Sequence, residues 1–178
     1  MKILTMKFGG TSVGDIDRIR AVRDIISDEV KDGWNVVAVV SAMSKETNKL
    51  IDLAKQVGVE NLVDPEYDSL ISTGEDVSSS LLAIALNSIE ISSRSWRGWQ
   101  LPIRTDSFHS NAKIEEIKTN QIINSFKEGV KVAVVSGFQG IEQAGRITTL
   151  GRGGSDTSAV AIAATIDAER CDIYTDVS

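Results

Sequence analysis

Residues Thr148–Ala159 read Thr-Thr-Leu-Gly-Arg-Gly-Gly-Ser-Asp-Thr-Ser-Ala, and the fold of the chain is best interpreted outward from this stretch. It follows a strand-like segment and leads into a tract of small, helix-forming residues, Ser158–Ala168. Glycines let the backbone turn sharply beside a ligand, and the free amides at a helix start attract anions. Arg152 adds a planar guanidinium that suits a carboxylate or a phosphate. The stretch therefore indicates an anion site, with a surface turn capped by Ser155 or Asp156 as the alternative.

Strands and helices alternate along the rest of the chain. Ile3–Phe8 and Asn35–Val40 are short apolar runs, and the second is rich in valine, as is typical of a strand buried on both faces. Between them, apolar residues recur at spacings of three and four over Asp15–Gly33, which predicts a helix. This β-α-β order predicts an α/β fold with a mainly parallel central sheet. Further along, the patterns predict helices at 45–57, 69–87, 115–128 and 158–168, strands at 89–95, 131–135 and 172–175, a polar connection at 61–68, and a loop with room for a short hairpin at 97–112.

Composition excludes several classes of protein. A chain of 178 residues with 42% hydrophobic residues suits one folded domain rather than a disordered segment. The net charge of −6 argues against a surface that binds nucleic acid or an anionic membrane. One cysteine and one histidine exclude disulfide scaffolds, cysteine metal sites and multi-histidine metal sites. Since no signal-peptide core and no run of about 18 apolar residues is present, we expect a soluble, cytoplasmic protein.

Four single residues have simple structural interpretations. Cys171 lies in an apolar strand-like run, so we expect it to be a buried small hydrophobe. For His109 we expect a loop residue with a local hydrogen bond. For Trp96 and Trp99 we expect packing in the core rather than stacking on a ligand.

The residues that suit binding or catalysis lie in the turns at the ends of the predicted strands. These turns are rich in small and polar residues and span 7–14, 41–48, 136–140 and 151–156. Ligands of open parallel sheets bind outside the carboxyl ends of the strands, so we expect the four turns to converge on one crevice. Lys7, with Gly9 and Gly10 close behind it, suits a transferring phosphoryl group, whereas a solvated surface lysine is the alternative. P-loop, dinucleotide-binding and Gly-x-Ser-x-Gly motifs are missing from the sequence, so those enzyme classes have no support.

Together these motifs resemble those of the aspartate kinases. Residues Lys7-Phe8-Gly9-Gly10-Thr11-Ser12-Val13 resemble the opening signature of that family, and Ser72-Thr73-Gly74-Glu75 resembles its acidic turn. The other matching motifs, in chain order, are Val40–Met43 with Thr47 and Asn48, Gly98–Gln100, Thr105 and Asp106, His109, Asn111 and Ala112, Gly137–Gly140, Thr148–Ala159 and Ile173–Val177. Matches in register over essentially the whole chain make the resemblance specific.

The resemblance implies a fold and a reaction. The fold would be the αβα sandwich of the amino-acid kinases, and the reaction would transfer the γ-phosphate of ATP to the side-chain carboxylate of L-aspartate. The product, 4-phospho-L-aspartate, stands at the head of lysine, threonine and methionine synthesis and, in bacteria, of diaminopimelate synthesis. The attacking carboxylate is ionised near neutral pH, so no strong general base is required. Positioning and charge stabilisation suffice, with Mg²⁺ bridging the ATP phosphates.

The resemblance also implies roles for individual residues. Lys7 and Asp156 would be catalytic, because Lys7 would contact the transferring phosphoryl group and Asp156 would orient Lys7. Glu75 would pair with the amino group of aspartate, and Arg152 would clamp its carboxylate. No residue is expected to bind a metal directly. The remaining site residues would be Ser41, Thr47 and Ser155 for the substrate, and Phe8, Gly9, Gly10, Gly153, Gly154, Thr175 and Asp176, with Lys7, for ATP and its phosphates.

The chain departs from the family pattern at its end. It stops at Ser178, whereas the family continues with Asp-Gly-Val-Tyr and segments that carry much of the adenine and phosphate site. We therefore expect residues 1–178 to be the N-terminal, amino-acid-binding part of an incomplete amino-acid kinase domain, without the rest of the nucleotide lobe and without ACT regulatory domains. We expect a homo-oligomer or a second chain that supplies the missing lobe. Two alternatives stay open: an inactive remnant or association module, and a related kinase acting on glutamate or a carbamate.

Overall fold

The structure is a computed structural model that describes residues 1–58 and 63–175. Strands and helices alternate as far as α2, after which two further helices and then groups of short strands interrupt the alternation. In chain order the elements are β1 Ile3–Phe8, α1 Ile16–Lys31, β2 Asn35–Val40, α2 Glu46–Gln56, α3 Pro65–Ile71, α4 Thr73–Asn87, β3 Ser93–Trp96, β4 Arg104–Thr105, β5 Ile114–Glu116, α5 Asn120–Lys127, β6 Val132–Ser136, β7 Gln139–Ile141, β8 Ile147–Thr149, α6 Gly154–Thr165 and β9 Arg170–Tyr174.

The larger sheet is parallel throughout. Its five strands run in the order β3-β6-β2-β1-β9. In this register Lys7 lies opposite Val39 of β2 on one side and opposite Ile173 of β9 on the other. The carboxyl ends of these strands therefore meet at one edge, and the predicted mainly parallel sheet is confirmed.

Helices cover both faces of this sheet. On one face, α1 and α4 pack their apolar side chains against β1, β2 and β6. On the other face, α5 and α6 do the same, with help from the segment before β4. Each fully buried aliphatic or aromatic side chain contributes about 1.5–3 kcal/mol relative to its exposed state. The result is the αβα sandwich that the resemblance implied. None of the helices in the two described ranges has the length and apolarity that crossing a membrane demands.

Of the four strands of the smaller sheet, β4 lies in the predicted loop 97–112 and β5 overlaps the start of the predicted helix 115–128. The strands of this sheet run in the order β5-β4-β7-β8, with β7 and β8 forming an antiparallel pair. A Cβ on Gly140 would lie 2.5 Å from Cγ2 of Thr105, so only glycine allows β7 to approach β4 this closely. The predicted helix over 115–128 begins only at Asn120, because 114–116 pairs with β4 instead.

Helix α3 begins within the stretch 61–68 that was predicted as a polar connection, and for residues 65–68 this prediction is wrong, whereas residues 61 and 62 lie outside the described residues. Pro65 occupies the first turn of α3, and the side chain of Asp64 accepts a hydrogen bond from the backbone amide of Glu66. Both are ordinary signals of a helix start. The helix predicted over 69–87 is divided near its start, where α3 ends at Ile71 and α4 begins at Thr73.

Two predictions about single residues also fail. Cys171 is exposed rather than buried, because β9 is the last strand of the sheet and its outer side is uncovered in the described structure. Trp99 is half exposed, at 50%, since it lies in the turn before β4. Trp96 is buried in the core as predicted, and the guanidinium of Arg94 lies 3.9 Å from its ring centre.

Candidate active site

The strand-end turns enclose one cavity of about 680 Å³ at the carboxyl edge of the larger sheet. All four predicted turns contribute to its lining, so the predicted convergence is confirmed. The lining residues are Lys7 and Gly9–Thr11 after β1, Ser41–Lys45 with Thr47 and Asn48 after β2, Phe138 after β6, Gly151 and Gly153–Asp156 at the start of α6, Glu75 of α4, and Thr175 after β9.

Lys7 is held at the cavity by an ion pair with Asp156. Lys7 Nζ lies 2.7 Å from Oδ1 of Asp156, and only 8% of Lys7 is exposed. The backbone amide of Gly9 donates a hydrogen bond to the carbonyl of Tyr174 at 3.3 Å, which ties the turn to β9. The ammonium therefore has a fixed place, and Asp156 compensates its charge.

The start of α6 presents backbone and a buried hydroxyl to the cavity. The residue before the helix, Gly153, has a φ of 72°, which glycine adopts without steric cost. A Cβ on Gly154 would lie 2.8 Å from Cδ2 of Phe138, so glycine is required there for packing. No side chain caps this helix, so the alternative of a turn capped by Ser155 or Asp156 is wrong. An uncapped helix start beside a cavity favours an anionic ligand group.

Helix α4 fixes the turn that follows β2. The backbone amide of Ala42 donates to Oε1 of Glu75 at 3.2 Å, and the hydroxyl of Ser78 donates to the carbonyl of Ser41 at 2.7 Å. Gly74 allows the close approach, since a Cβ there would lie 2.8 Å from Cβ of Ala42. The hydroxyl-bearing residues of the 41–48 turn thus line the cavity, and contacts with α4 hold the backbone of this turn in place.

Glu75 is the most perturbed acid of the site. Burial raises the pKa of its carboxyl to about 8, although the amide of Ala42 donates a hydrogen bond that acts in the opposite direction. Only 3% of Glu75 is exposed, and its Oε2 has no hydrogen-bond partner in the described part of the chain. A buried carboxyl with one unpartnered oxygen at a cavity suits an ammonium group of a ligand, because an opposite charge would favour its ionised form.

A buried carboxylate, Asp68, joins three segments behind the cavity. It accepts hydrogen bonds from Nδ1 of His109 at 2.9 Å, from the amide of Ser110 at 2.9 Å, and from the amide and hydroxyl of Thr149 at 2.9 and 2.8 Å. His109 is a loop residue between β4 and β5, as predicted, but its side chain is buried and bonded to a distant helix rather than to a local partner. Because Thr149 ends β8, this cluster anchors the chain two residues before the Gly151 turn.

The structure brings most of the predicted site residues together. Phe8 is the exception among the residues of the β1 end, since it is fully buried and stacks on Tyr174 with ring centres 4.7 Å apart. Arg152 is exposed and is not among the residues that line the cavity. Asp176 lies outside the described residues. The predicted residues that do line the cavity are Lys7, Gly9, Gly10, Ser41, Thr47, Glu75, Gly153, Gly154, Ser155, Asp156 and Thr175.

Several lining residues were not predicted as site residues. Lys45 and Phe138 stand out, because both have positive φ angles, 66° and 70°, that residues other than glycine seldom adopt. Nothing in the sequence signals either angle. The other unpredicted lining residues are Thr11, Ala42, Met43, Ser44, Asn48 and Gly151.

Comparison with known proteins gives concordant matches in sequence. A sequence model described as the amino acid kinase family matches residues 2–178. The chain is 52% identical over 178 residues to an aspartokinase of Bacillus sp. (strain MGA3), and 51% identical to an aspartokinase of Geobacillus stearothermophilus. Each match covers 100% of this chain and 43% of the relative. The chain therefore spans less than half the length of these relatives.

Solved structures give the same match in three dimensions. The crystal structure of aspartate kinase from Synechocystis superposes with a TM-score of 0.81 at 46% identity, covering 98% of this chain and 28% of that one. E. coli aspartokinase III, crystallised with aspartate and ADP, superposes with a TM-score of 0.84 at 26% identity, covering 99% and 49%. The arrangement of strands and helices around the cavity is thus shared with these kinases.

Proposed function

Because the chain belongs to the amino acid kinase family, we propose that it forms the amino-acid-binding part of an aspartate kinase. The observation that carries the proposal is one cavity that combines groups suited to an anion with a group suited to an ammonium. Lys7 and the start of α6 line this cavity, and so does the buried, partly unpartnered carboxyl of Glu75.

L-Aspartate matches both kinds of group. It carries one ammonium and two carboxylates, so its pocket needs an acid, hydroxyls and cations. Glu75 would receive the ammonium, and the hydroxyls of Ser41 and Thr47 would donate to carboxylate oxygens. Arg152 would clamp a carboxylate only after its exposed side chain turns toward the cavity. The same pocket must leave the side-chain carboxylate facing Lys7, where the phosphoryl group arrives.

The transfer itself needs positioning rather than an acid or a base. A side-chain carboxylate oxygen of aspartate forms a bond to the γ-phosphorus, and the bond to the bridging oxygen breaks, so ADP leaves with that electron pair. The charge that spreads over the equatorial phosphoryl oxygens would be stabilised by the ammonium of Lys7 and the amides at the start of α6. Asp156 would keep Lys7 in place through its 2.7 Å contact.

MgATP would be the phosphoryl donor. In the described residues, no group of three histidine, cysteine or carboxylate side chains converges to hold a metal ion. Mg²⁺ would therefore arrive with the nucleotide and neutralise its β- and γ-phosphates. Gly9, Gly10 and the Gly153–Gly154 turn would approach those phosphates, and Thr175 would begin the nucleotide side of the site.

The wider setting follows from the proposed reaction. The product, 4-phospho-L-aspartate, would supply lysine, diaminopimelate, threonine and methionine synthesis in the cytoplasm. Residues that complete the nucleotide side would come from a longer chain, from a second chain, or from another copy in a homo-oligomer.

The experiment that tests the proposal is phosphoryl transfer by the purified 178-residue chain. MgATP and L-aspartate are supplied, and the acyl phosphate is trapped with hydroxylamine. The proposal expects a signal that Lys7→Ala abolishes and that Lys49→Ala leaves unchanged. Lys49 is the matched control because it pairs with Glu46 on α2 and does not line the cavity.

Other outcomes refine the proposal or contradict it. A signal with L-glutamate but not with L-aspartate would indicate a related amino-acid kinase. Binding of L-aspartate without transfer would agree with the proposed amino-acid-binding part and would mean that its nucleotide side must come from elsewhere. A chain that shows neither transfer nor binding would contradict the proposal, and an inactive remnant or association module would then remain.

A further inference from the structure

Lys45 is a cavity-lining residue that the proposed function leaves without a role. It lies in the turn after β2, between Ser41 and Thr47, and directly precedes α2. Its side chain is exposed at the mouth of the cavity rather than buried in its wall. A lysine at this point brings a full positive charge to the same turn that carries the two hydroxyls.

The charges around the cavity leave Lys45 uncompensated. Lys7 is paired with Asp156 at 2.7 Å, and Lys49, one turn further along α2, is paired with Glu46. For Lys45, by contrast, the described ranges contain no carboxylate within ion-pair distance. Glu75, the other acid of the lining, has a raised pKa and so carries little negative charge near neutral pH. Lys45 is thus the cation of the lining that remains available to a ligand.

The backbone conformation of Lys45 indicates that this residue does more than carry a solvated surface charge. Its φ is 66° and its ψ is −3°, a left-handed conformation that is strained for a residue with a Cβ and easy for glycine. The turn requires this conformation, because the amide of Glu46 donates back to the carbonyl of Met43 at 3.1 Å. Strained residues that persist at a ligand cavity are characteristic of functional positions. Here glycine would satisfy the backbone, so the lysine is retained at a cost in stability.

We propose that Lys45 is an anion-binding residue of this cavity, which binds a carboxylate of the amino-acid substrate or a phosphate of the donor. The choice between these two ligands rests on the proposed function, but the presence of an anion contact at Lys45 does not. Because the side chain is exposed, its contribution is that of a solvent-screened charge pair and weakens as salt is added.

Three substitutions separate the charge from the strain. Lys45→Gln removes the charge and keeps the strain, Lys45→Gly removes both, and Lys45→Arg keeps both. Lys55→Gln is the matched control, because Lys55 is an exposed lysine of α2, the helix that follows Lys45, and does not line the cavity. Each full-length variant is titrated at low salt with L-aspartate and, separately, with inorganic pyrophosphate, and its thermal midpoint Tm is recorded.

The expected pattern is specific. Lys45→Gln and Lys45→Gly weaken binding of at least one probe about fivefold, and the loss shrinks at high salt. Lys45→Arg and Lys55→Gln bind as the wild type does. Lys45→Gly alone raises Tm, by about 2–4 °C for a strain of the usual size. A variant that is more stable and yet binds more weakly cannot have lost affinity through unfolding.

The outcomes decide both the role and the ligand. Loss confined to L-aspartate assigns Lys45 to a carboxylate, and loss confined to pyrophosphate assigns it to a phosphate. Unchanged binding of both probes in Lys45→Gln, an equal loss in Lys55→Gln, or a wild-type chain that binds neither probe would overturn the proposal. The test needs no turnover, so a chain that binds an anion at Lys45 but transfers no phosphoryl group contradicts only the proposed function.

Discussion

Replacing Glu75 with glutamine should change how the stability of the protein depends on pH. Glu75 has a folded-state pKa of about 8 against an ordinary value of 4.5, because burial disfavours its ionised form. Below pH 4.5 the carboxyl is protonated in both the folded and the unfolded state. Between pH 4.5 and 8 the folded state keeps the proton and the unfolded state loses it, so the free energy of unfolding falls as pH rises.

The size of this effect follows from the interval between the two pKa values. At about 1.4 kcal/mol per pH unit, an interval of about 3.5 units amounts to a loss of about 5 kcal/mol by pH 8. Glutamine is neutral at every pH and keeps an oxygen that accepts the hydrogen bond from the amide of Ala42. The Glu75→Gln protein should therefore match the wild type near pH 4.5 and exceed its stability increasingly up to pH 8.

The assay is urea unfolding of both proteins at pH 5, 6.5 and 8, with Glu115→Gln as the control. Glu115 is an exposed acid of β5, so its replacement should leave the pH dependence of the wild type unchanged. Parallel loss of stability in the wild type and Glu75→Gln from pH 5 to 8 would refute the reasoning. Glu75 would then be ionised in the folded state, and its burial would be compensated by a contact other than those described.

Two further substitutions test how the site is braced. Asp68→Ala should lower the free energy of unfolding by about 3 kcal/mol or more, because it leaves several buried hydrogen-bond donors without an acceptor. The control Asp64→Ala removes only a helix cap worth about 1 kcal/mol. Similar losses of the two variants in urea unfolding would argue against the Asp68 cluster. Gly74→Ala should cost about 1–3 kcal/mol, because its Cβ would lie 2.8 Å from that of Ala42. Adding Ala42→Gly should recover part of this loss, and purely additive free energies in a double-mutant cycle would show that the two residues do not collide.

The sequence predicted the central strands because their signals are local. β2 and β6 contain continuous apolar runs, and β1 is apolar at four of its six positions, as suits strands covered on both faces. The apolar spacing of Ile19, Val22 and Ile26 likewise predicted α1, and all three residues are buried. The convergence of strand-end turns followed from parallel topology, so the four predicted turns contain most of the lining residues, whereas Glu75 and Thr175 were predicted only from the family resemblance.

The remaining features depend on contacts between distant segments. The strand 114–116 forms because β4 offers it a partner, and this pairing overrides an amphipathic pattern that suits a helix. The bond between His109 and Asp68 joins residues 41 positions apart, so no local pattern carries it. The positive φ of Lys45 is set by the turn it occupies rather than by its own preference. Helix α3 is different, since Asp64 and Pro65 are a start signal that sequence analysis can use.

The place of β1 in the sheet has a consequence for how the protein is made. β1 is an early segment of the chain, yet it lies between β2 and β9, and β9 ends only at Tyr174. At ribosomal rates of about 5–20 residues per second, one side of β1 waits on the order of ten seconds for its partner. During that time its unpaired amides and carbonyls can join the strand of another nascent chain. Lys7 meets Asp156 only after α6 has been made, so this corner of the cavity forms well after β1, and chaperone protection matters most before it does.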